Sequence, residues 1–315
     1  MPDADLIVFS FKEEPWEPPF LESIRRLTME SNGEFHETRQ VGAKEWDTFW
    51  ESAHIDLMFA VSWRYMIPPA VYRRARRGAF VFHDSMLPSY RGFSPTVWSI
   101  INGEKQTGVT LFEIAEGVDE GDIIDQVPVR IGPDDTIAGV LDTVTAAYLD
   151  ILQRNIQKLV NNAAPRRQQD HSQATYCCKR LPQDNLINWS LPSSQIFNLI
   201  RALTTPYPGA FTTLNGKRLI IWEARRVNRV RSYAGLVPGR IVEARPGEGA
   251  VVLTGNGELV LTVVQLEGED KVPAGTLLRS LNITLGPAAS EPLVPQAPRA
   301  LERVPTSALC VVSSR

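Results

Sequence analysis

One segment decides the fold of this chain: residues 79–92, which read AFVFHDSMLPSYRG. Its apolar beginning predicts a short buried strand, and His83 falls at the carboxyl end of that strand. Open α/β sheets bind their ligands in the crevice at this end of their strands. The segment therefore predicts an α/β domain with a candidate site beside His83.

The stretches on either side of this segment extend the same pattern. Strand-like apolar runs alternate with helical patterns, and this alternation predicts a mostly parallel sheet with helices on both faces. The predicted strands are 6–11, 55–62, 107–114 and 122–131, and the predicted helices are 18–30, 68–77 and 135–160. A further helix is predicted to begin near Ser94-Pro95, a good cap and first-turn pair.

The second half of the chain has a different pattern. After a predicted helix at 184–203, short strand-like runs follow one another, separated by turn pairs such as Asn215-Gly216 and Asn256-Gly257. This spacing predicts a small β-barrel or sandwich. We therefore predict a catalytic domain at 1–170, a linker and connecting helix at 171–204, a β-barrel domain at 205–286, and a loosely ordered tail at 287–315 that is rich in Pro, Ala and Ser.

Composition narrows the functional classes. The net charge of −3 over 315 residues argues weakly against a broad nucleic-acid surface, because phosphate binding depends on clustered Lys and Arg. The three cysteines, Cys177, Cys178 and Cys310, have neither a metal-ligand spacing nor a disulfide pattern. The sequence shows no basic leader and no run long enough to cross a membrane. We expect a cytoplasmic protein that binds no metal and no membrane.

His83 and Asp119 form the candidate chemical pair. Asp119 follows the predicted strand 107–114, so its loop can return to the crevice beside His83. A carboxylate next to a histidine orients the ring and stabilises the imidazolium. Such a pair suits proton transfer, although a lone histidine at a strand end is more often a packing or hydrogen-bonding residue. From the residues alone, both interpretations stay open.

A family resemblance favours the chemical interpretation. The run His83-x-Ser85-Met86-Leu87-Pro88-x-Tyr90-Arg91-Gly92, followed by Thr107-Gly108-Val109-Thr110 and Asp119-x-Gly121, resembles the signature of the folate-dependent formyltransferases. This family includes methionyl-tRNA formyltransferase and the nucleotide-sugar N-formyltransferases. The resemblance implies a Rossmann-like domain that uses 10-formyltetrahydrofolate, an OB-like C-terminal barrel, and His83 and Asp119 as catalytic residues.

The resemblance also implies where the folate binds. It places the pteridine pocket near Trp63 and assigns two groups of residues to the co-substrate. The first group follows the predicted strand 55–62, and the second belongs to the motif: Tyr65, Met66 and Ile67, then Ser85, Leu87, Pro88, Arg91 and Gly92.

One position departs from the family pattern. Family members usually carry an asparagine two residues before the histidine, where it is expected to hydrogen-bond the formyl oxygen, and this chain has Val81 there. Valine cannot donate a hydrogen bond. Another donor replaces it, the activity is slow, or the chemistry has changed, for example to folate-dependent hydrolysis or to binding without turnover.

Two acceptors are compatible with the sequence. An amino sugar on a nucleotide is favoured, because Lys179, Arg180 and Arg201 suit a diphosphate and because residues 30–55 lack the lysine-rich loop expected of tRNA formyltransferases. A solvated basic surface is the plain alternative for these residues. Methionyl-tRNA is the second acceptor, and its support is the cluster Arg225, Arg226, Arg229 and Arg231. Apolar edges of the barrel are compatible with a homodimer.

Overall fold

A computed structural model describes residues 4–13, 19–227, 231–286 and 308–314. The strands are β1 (Ala4–Ser10), β2 (Glu34–Glu37), β3 (Leu57–Val61), β4 (Ala79–His83), β5 (Arg91–Gly92), β6 (Gln106–Glu113), β7 (Ile123–Arg130), β8 (Tyr176–Cys177), β9 (Ala210–Leu214), β10 (Lys217–Arg226), β11 (Ile241–Arg245), β12 (Gly249–Leu253), β13 (Glu258–Leu266), β14 (Val272–Pro273) and β15 (Ala308–Ser314). The helices are α1 (Leu21–Glu30), α2 (Asp47–Ser52), α3 (Pro69–Tyr72), α4 (Pro95–Ile101), α5 (Ile137–Val160), α6 (Ser193–Leu203) and α7 (Ala274–Leu277), with 3₁₀ turns at Lys44–Trp46, His171–Gln173 and Pro182–Asn185.

The N-terminal sheet has seven strands in the order β2-β1-β15-β3-β4-β6-β7. The strands β1, β2, β3, β4 and β7 point the same way, while β6 and β15 point the opposite way. The sheet is therefore mostly parallel in strand direction, as the alternating pattern predicts. β4 is flanked by β3 and β6, so its carboxyl end, at His83, lies well inside the sheet.

β15 corrects the prediction of a loosely ordered tail. Residues 308–314, ALCVVSS, form a strand that is antiparallel to both β1 and β3 and separates them. The adjacent Val311 and Val312 favour a strand, and a position between two strands pairs the backbone on both sides. The rest of the predicted tail, 287–307 and Arg315, lies outside the described residues.

The C-terminal sheet differs from the predicted barrel. Its strands follow the order β11-β12-β13-β10-β9, and β14 pairs with β13. Among the described residues, β9 and β11 do not pair with each other, so the sheet has two edges and is not a closed barrel. The turns at Asn215-Gly216 and after Asn256 do connect antiparallel strands, as their turn-forming residues predict.

The connection between the sheets also differs from its prediction. The predicted helix at 184–203 is shorter, because α6 begins at Ser193. Pro192 precedes it, at a position where the missing N–H of proline is tolerated. Upstream, Ile187 pairs its N–H with the carbonyl of Phe211 on β9. The segment before Pro192 therefore runs along the C-terminal sheet rather than continuing the helix.

The hydrophobic core is continuous through both sheets. A single cluster joins Phe80 and Phe82 on β4 to Ile151 on α5, Ile200 on α6 and Val252 on β12. Helix α5 contributes to it through one buried stripe that includes Val140 and Val144. Within the described chain, no helix combines the length and the hydropathy needed to span a membrane.

Candidate active site

A cavity of about 490 Å³ opens at the carboxyl ends of β3 and β4. Loops of the N-terminal sheet form most of its wall, and Leu203, Tyr207 and Pro208 extend the wall from the chain that leads into the C-terminal sheet. The site therefore lies where open α/β sheets bind ligands, but residues beyond the N-terminal sheet help to close it.

His83 is the last residue of β4 and lines this cavity. Its ring is buried, and its Nε2 lies 2.8 Å from the carbonyl oxygen of Tyr90. A carbonyl can only accept a hydrogen bond, so Nε2 carries a proton. The other ring nitrogen, Nδ1, lies 3.6 Å from Oδ2 of Asp119. Nδ1 is therefore the atom at which this histidine can gain or lose a proton, facing a carboxylate.

Asp119 is held firmly in the loop between β6 and β7. Its Oδ2 accepts a hydrogen bond of 2.7 Å from the backbone N–H of Gly92. Its φ of 54° lies in the left-handed region, which aspartate tolerates better than most residues. The spacing Asp119-x-Gly121 has a packing reason, because a Cβ at Gly121 would lie 1.7 Å from the carbonyl oxygen of Glu113.

Left-handed backbone recurs around the cavity. Ser62 and Ser94 line it with φ values of 49° and 51°, and Tyr90, which accepts from His83, has a φ of 62°. Each such residue costs about 1 kcal/mol relative to ordinary backbone. Strained residues of this kind persist where the surroundings fix them, and they cluster at functional sites.

The position of Val81 leaves the site without the expected amide donor. Val81 lines the cavity on the same side of β4 as His83. The polar residues that follow His83 in the sequence do not replace the missing donor, because Ser85 donates its hydroxyl to the carbonyl of Ser89 at 2.7 Å and Asp84 accepts from the hydroxyl of Tyr148.

Asp84 follows His83 but faces the opposite side of the strand end. Its carboxylate meets Tyr148 on α5, whose ring also packs against Phe82. Burial raises the pKa of Asp84 to about 6, although the positive charge of His83 opposes this rise. Asp84 is thus a second titratable group at the cavity, with a partner of its own.

The predicted pteridine pocket lies on the cavity wall. Tyr65, Met66 and Ile67 all line the cavity, as does Trp63. The Trp63 ring packs edge-on against Tyr65, and its buried Nε1 has no acceptor among the described residues. Met66 is 79% exposed at the mouth. The wall is apolar and partly aromatic, which suits a flat ring.

The motif residues divide into two groups. Of the motif residues predicted to contact folate, Gly92 lines the cavity, whereas Ser85, Leu87, Pro88 and Arg91 are not among its lining residues. Leu87 is 3% exposed and packs with Phe112 and Ile123. The Arg91 side chain is 0% exposed and bonds to protein groups behind the site.

The predicted substrate cations also divide. Lys179 and Arg180 line the cavity, but Arg201 is buried away from it and donates to the carbonyls of Gly132 and Asp135 at 3.1 and 2.8 Å. Arg201, which was predicted to contact a diphosphate, anchors α6 to the loop before α5. The physical reason is the burial of Arg201 itself, because a buried guanidinium needs hydrogen-bond acceptors and these two carbonyls supply them.

Arg180 is less free than Lys179. Its guanidinium donates to Asn185 Oδ1 at 2.7 Å and to the carbonyl of Asp184, and it lies 5.1 Å from the ring centre of Trp98. Burial lowers the pKa of Arg180. Lys179 is exposed and has no hydrogen bond or ion pair with the rest of the described chain.

The arginine cluster at the end of β10 is largely engaged. Arg226 pairs with Asp134 at 2.6 Å, and Arg231 pairs with Glu258 at 3.1 Å. Arg225 is exposed, and Arg229 lies outside the described residues. Two of the four cations predicted to follow a phosphate backbone are thus already paired with carboxylates.

Over the described ranges, no group of three His, Cys, Asp or Glu side chains is placed to hold a metal ion. Cys177 and Cys178 are both free thiols. Burial, together with the neighbouring Cys178 and Asp119, raises the pKa of Cys177 to about 12, so this thiol is not poised as a nucleophile.

Sequence comparison relates both parts of the chain to one family. Residues 9–156 match the domain described as "Formyl transferase", and residues 181–282 match "Formyl transferase, C-terminal domain". The first match includes both His83 and Asp119, and the second includes the whole C-terminal sheet up to α7.

Solved structures share the fold at low identity. HypX from Aquifex aeolicus in complex with tetrahydrofolic acid is 18% identical, with a TM-score of 0.62 over 86% of this chain and 46% of HypX. An N-formyltransferase from Helicobacter canadensis, in complex with folinic acid and dTDP-3-aminofucose, is 20% identical, with a TM-score of 0.59 over 79% of this chain and 84% of its own. The methionyl-tRNA formyltransferase from Clostridium thermocellum is 20% identical, with a TM-score of 0.50 over 70% and 93%. The present chain spans about half the length of the HypX structures that it matches.

Proposed function

The chain belongs to the formyl transferase family, and on that premise we propose that it transfers a formyl group from 10-formyltetrahydrofolate to an amine. One observation carries the proposal: His83 Nδ1 and Asp119 Oδ2 lie 3.6 Å apart on the wall of the cavity. An imidazole that faces a carboxylate at a ligand crevice is equipped to move a proton.

The cavity wall fits the proposed folate. Trp63, Tyr65 and Ile67 give the cavity an apolar, partly aromatic wall, and the buried Nε1 of Trp63 has no acceptor in the described chain, so it can donate to a ligand. The folate supplies the formyl group when it is bound. Relatives in the same fold have been crystallised with tetrahydrofolic acid and with folinic acid, which supports a folate in this chain.

His83 takes the proton that the acceptor amine loses as its new C–N bond forms. Nδ1 receives this proton, because Nε2 is already protonated and donates to Tyr90. Asp119 stabilises the resulting imidazolium across 3.6 Å. The proton then leaves His83 for the departing nitrogen of the donor, which restores the starting state. Gly92 keeps the carboxylate in place throughout.

The developing negative charge on the formyl oxygen needs a donor, and Val81 cannot supply one. The N–H that forms at His83 Nδ1 is a cationic donor on the same side of β4 as Val81. We infer that His83 serves as both base and electrostatic donor here. Loss of one donor from such a site costs about 3 kcal/mol of transition-state stabilisation, and the N–H of His83 offsets part of that cost, so we expect slow turnover.

For the acceptor we propose an amino sugar linked to a nucleotide. Lys179 supports this choice, because it is an exposed cation at the cavity with no partner among the described residues. Arg180 can assist only after it gives up some of its bonds to Asp184 and Asn185. Methionyl-tRNA is disfavoured by the carboxylate partners of Arg226 and Arg231.

The test is direct assay of the purified chain with 10-formyltetrahydrofolate. Nucleotide-linked amino sugars and charged initiator tRNA are offered separately, and mass spectrometry detects a formyl group gained by the acceptor. We expect a gain on a nucleotide amino sugar. Formate release that does not depend on any amine would instead indicate a hydrolase, and a gain only on tRNA would overturn the acceptor assignment.

Substitution of Lys179 by alanine tests the acceptor side separately. We expect the KM for the nucleotide sugar to rise about tenfold, because one cation lost from a phosphate contact is worth 1.5–3 kcal/mol at most. Lys217→Ala is the matched control, since Lys217 is an exposed lysine on β10 outside the cavity. Equal KM values for the two variants would remove Lys179 from the acceptor site.

A further inference from the structure

Arg91 and Gln169 form a buried cluster directly behind the catalytic loop, and the proposed chemistry does not use either of them. Arg91 is 0% exposed and Gln169 is 5% exposed. Gln169 lies between α5 and β8, in the segment that leads from the N-terminal sheet towards the C-terminal sheet.

The side-chain amide of Gln169 is bonded at both of its ends. Its Oε1 accepts from Nη2 and Nε of Arg91 at 2.8 and 3.2 Å. Its Nε2 donates to the carbonyl oxygens of Asp119 and Gly121 at 2.9 and 2.8 Å. The amide therefore joins a buried guanidinium to the backbone on both sides of Glu120.

Arg91 holds the other contacts of this cluster. Its Nη1 donates to Glu120 Oε1 at 3.3 Å and to the hydroxyl of Tyr176 at 3.1 Å, and its Nη2 lies 3.2 Å from Nδ1 of His171. Its own backbone N–H donates to Thr175. The next residue, Gly92, donates its N–H to the Asp119 carboxylate. Both the backbone and the carboxylate of Asp119 are thus fixed through residues 91 and 92.

Strand-like pairing holds the segment around Arg167 against the start of β7, next to the loop that carries Asp119. Arg167 and Ile123 exchange two backbone hydrogen bonds, of 2.9 and 2.8 Å, at the start of β7. This pairing positions Gln169 two residues further on. Asp119 has a left-handed φ, which persists only where the surroundings fix it. The amide of Gln169 helps to fix this backbone through its hydrogen bonds to the carbonyls of Asp119 and Gly121.

We propose that Gln169, held by Arg91, is a positioning residue that sets the distance between Asp119 and His83. The proposal rests on the proposed function, because it assumes that this distance matters for proton transfer. A displacement of about 1 Å at a catalytic group can lower a rate by about a hundredfold. Domain connection and catalytic geometry are then coupled through one side-chain amide.

The sharpest variant is Gln169→Glu. A glutamate keeps the acceptor for Arg91 and gains an ion pair with it, but an ionised glutamate has no N–H for the carbonyls of Asp119 and Gly121. We expect kcat to fall between about tenfold and a hundredfold, while the KM for the amine changes less than threefold. Gln173→Glu is the matched control, because Gln173 is an exposed residue four positions further along the chain whose side-chain amide donates to the hydroxyl of Ser172.

Hydrogen exchange gives a readout that a general loss of stability would not reproduce. In Gln169→Glu we expect exchange at the amide of Gly92 and across residues 115–122 to rise more than exchange elsewhere in the chain, beyond what any fall in melting temperature accounts for. Wild-type kcat together with wild-type exchange in this variant would overturn the proposal. The same loss of kcat in Gln173→Glu would overturn it as well.

Two measurements keep the proposal open to refutation if the variant does not fold. In the wild-type protein the amide of Gly92 should exchange slowly, and exchange as fast as in an unfolded peptide would show that Asp119 is not held. Gln169→Met, which has a similar length and no hydrogen-bonding ends, should lower kcat at least as much as Gln169→Glu. Absence of formyl transfer in the wild-type protein would refute the proposed function alone, since the exchange rates report on the loop without turnover.

Discussion

His83 and Asp84 are consecutive residues, yet they belong to two different polar pairs. His83 faces Asp119 across 3.6 Å on one side of the β4 end, and Asp84 accepts from Tyr148 on the other side. Alternation along a strand places them on opposite faces. Both residues line the same cavity. The position of a residue in the motif therefore does not assign its role. The role follows from the side chain with which the residue pairs.

The two pairs differ in what they do with a proton. The pair His83–Asp119 can share an added proton between a base and a carboxylate, which suits catalysis. In the pair Asp84–Tyr148, the hydroxyl donates to a carboxylate whose pKa burial has raised to about 6. A negative charge on Asp84 near neutral pH therefore destabilises the folded protein. We therefore expect the first pair to govern the rate and the second to govern how stability depends on pH.

The largest effect should come from breaking the first pair. His83→Asn or Asp119→Asn should lower formyl transfer by about a hundredfold or more, because each removes one half of the acid–base pair. Steady-state assay under saturating folate and amine checks this. The exposed residues His54 and Asp142 provide matched controls as His54→Asn and Asp142→Asn. Full activity in both site variants would show that the chemistry lies elsewhere in the cavity.

A substitution at Val81 tests the side of the site that carries His83 through a gain of activity. Val81→Asn adds an amide donor two residues before His83 on the same face of β4, and we expect turnover to rise about tenfold. Val81→Leu is the control, because leucine has a side chain of similar size to asparagine and no donor. We expect no rise in turnover for this variant. Equal or lower turnover in Val81→Asn would indicate that the developing charge is already satisfied by another group.

The second pair should have the smallest effect on the rate of formyl transfer, and its substitution should change the free energy of unfolding instead. The folded-state pKa of Asp84 is raised above its ordinary value of 3.8 to about 6, so the folded protein loses stability as pH rises from about 4 through 6. Asp84→Asn removes this penalty and retains an acceptor for Tyr148. We expect the variant to match the wild type near pH 4 and to be up to about 3 kcal/mol more stable at pH 7, because each unit of pKa shift corresponds to about 1.4 kcal/mol.

Denaturant unfolding at several pH values measures this difference. Asp142→Asn, on the exposed face of α5, is again the control and should show no such pH dependence. If Asp84→Asn were less stable than the wild type at pH 7, the carboxylate would be making a favourable contact that outweighs its burial.

Much of the fold could be predicted because its signals are local. The apolar run 79–82, the turn pair Asn215-Gly216 and the helical pattern of α5 each have a short-range cause, and each forms the predicted element. The position of β15 could not be predicted, because nothing in residues 308–314 indicates which strands they join. Closure of the C-terminal sheet likewise depends on contacts between distant residues.

The candidate site shows the same division. His83 and Asp119 were candidates from their spacing and residue types, the family resemblance added the wall at 65–67, and the structure brings them to one cavity. The buried positions of Arg91 and Arg201 could not be predicted. The sequence does not distinguish an arginine that binds a ligand from one that donates to other groups of the protein. Nothing in the sequence pointed to Gln169, since its position depends on the pairing between Arg167 and Ile123.

The continuous core has a thermodynamic consequence. Because Phe80, Ile200 and Val252 belong to one apolar cluster, neither sheet can lose its packing without exposing the face of the other. The whole molecule should then melt in a single calorimetric peak, with equal van't Hoff and calorimetric enthalpies. A ligand held at the rim between the sheets would raise the temperature of that one peak, so that occupancy at the crevice stabilises residues far from it.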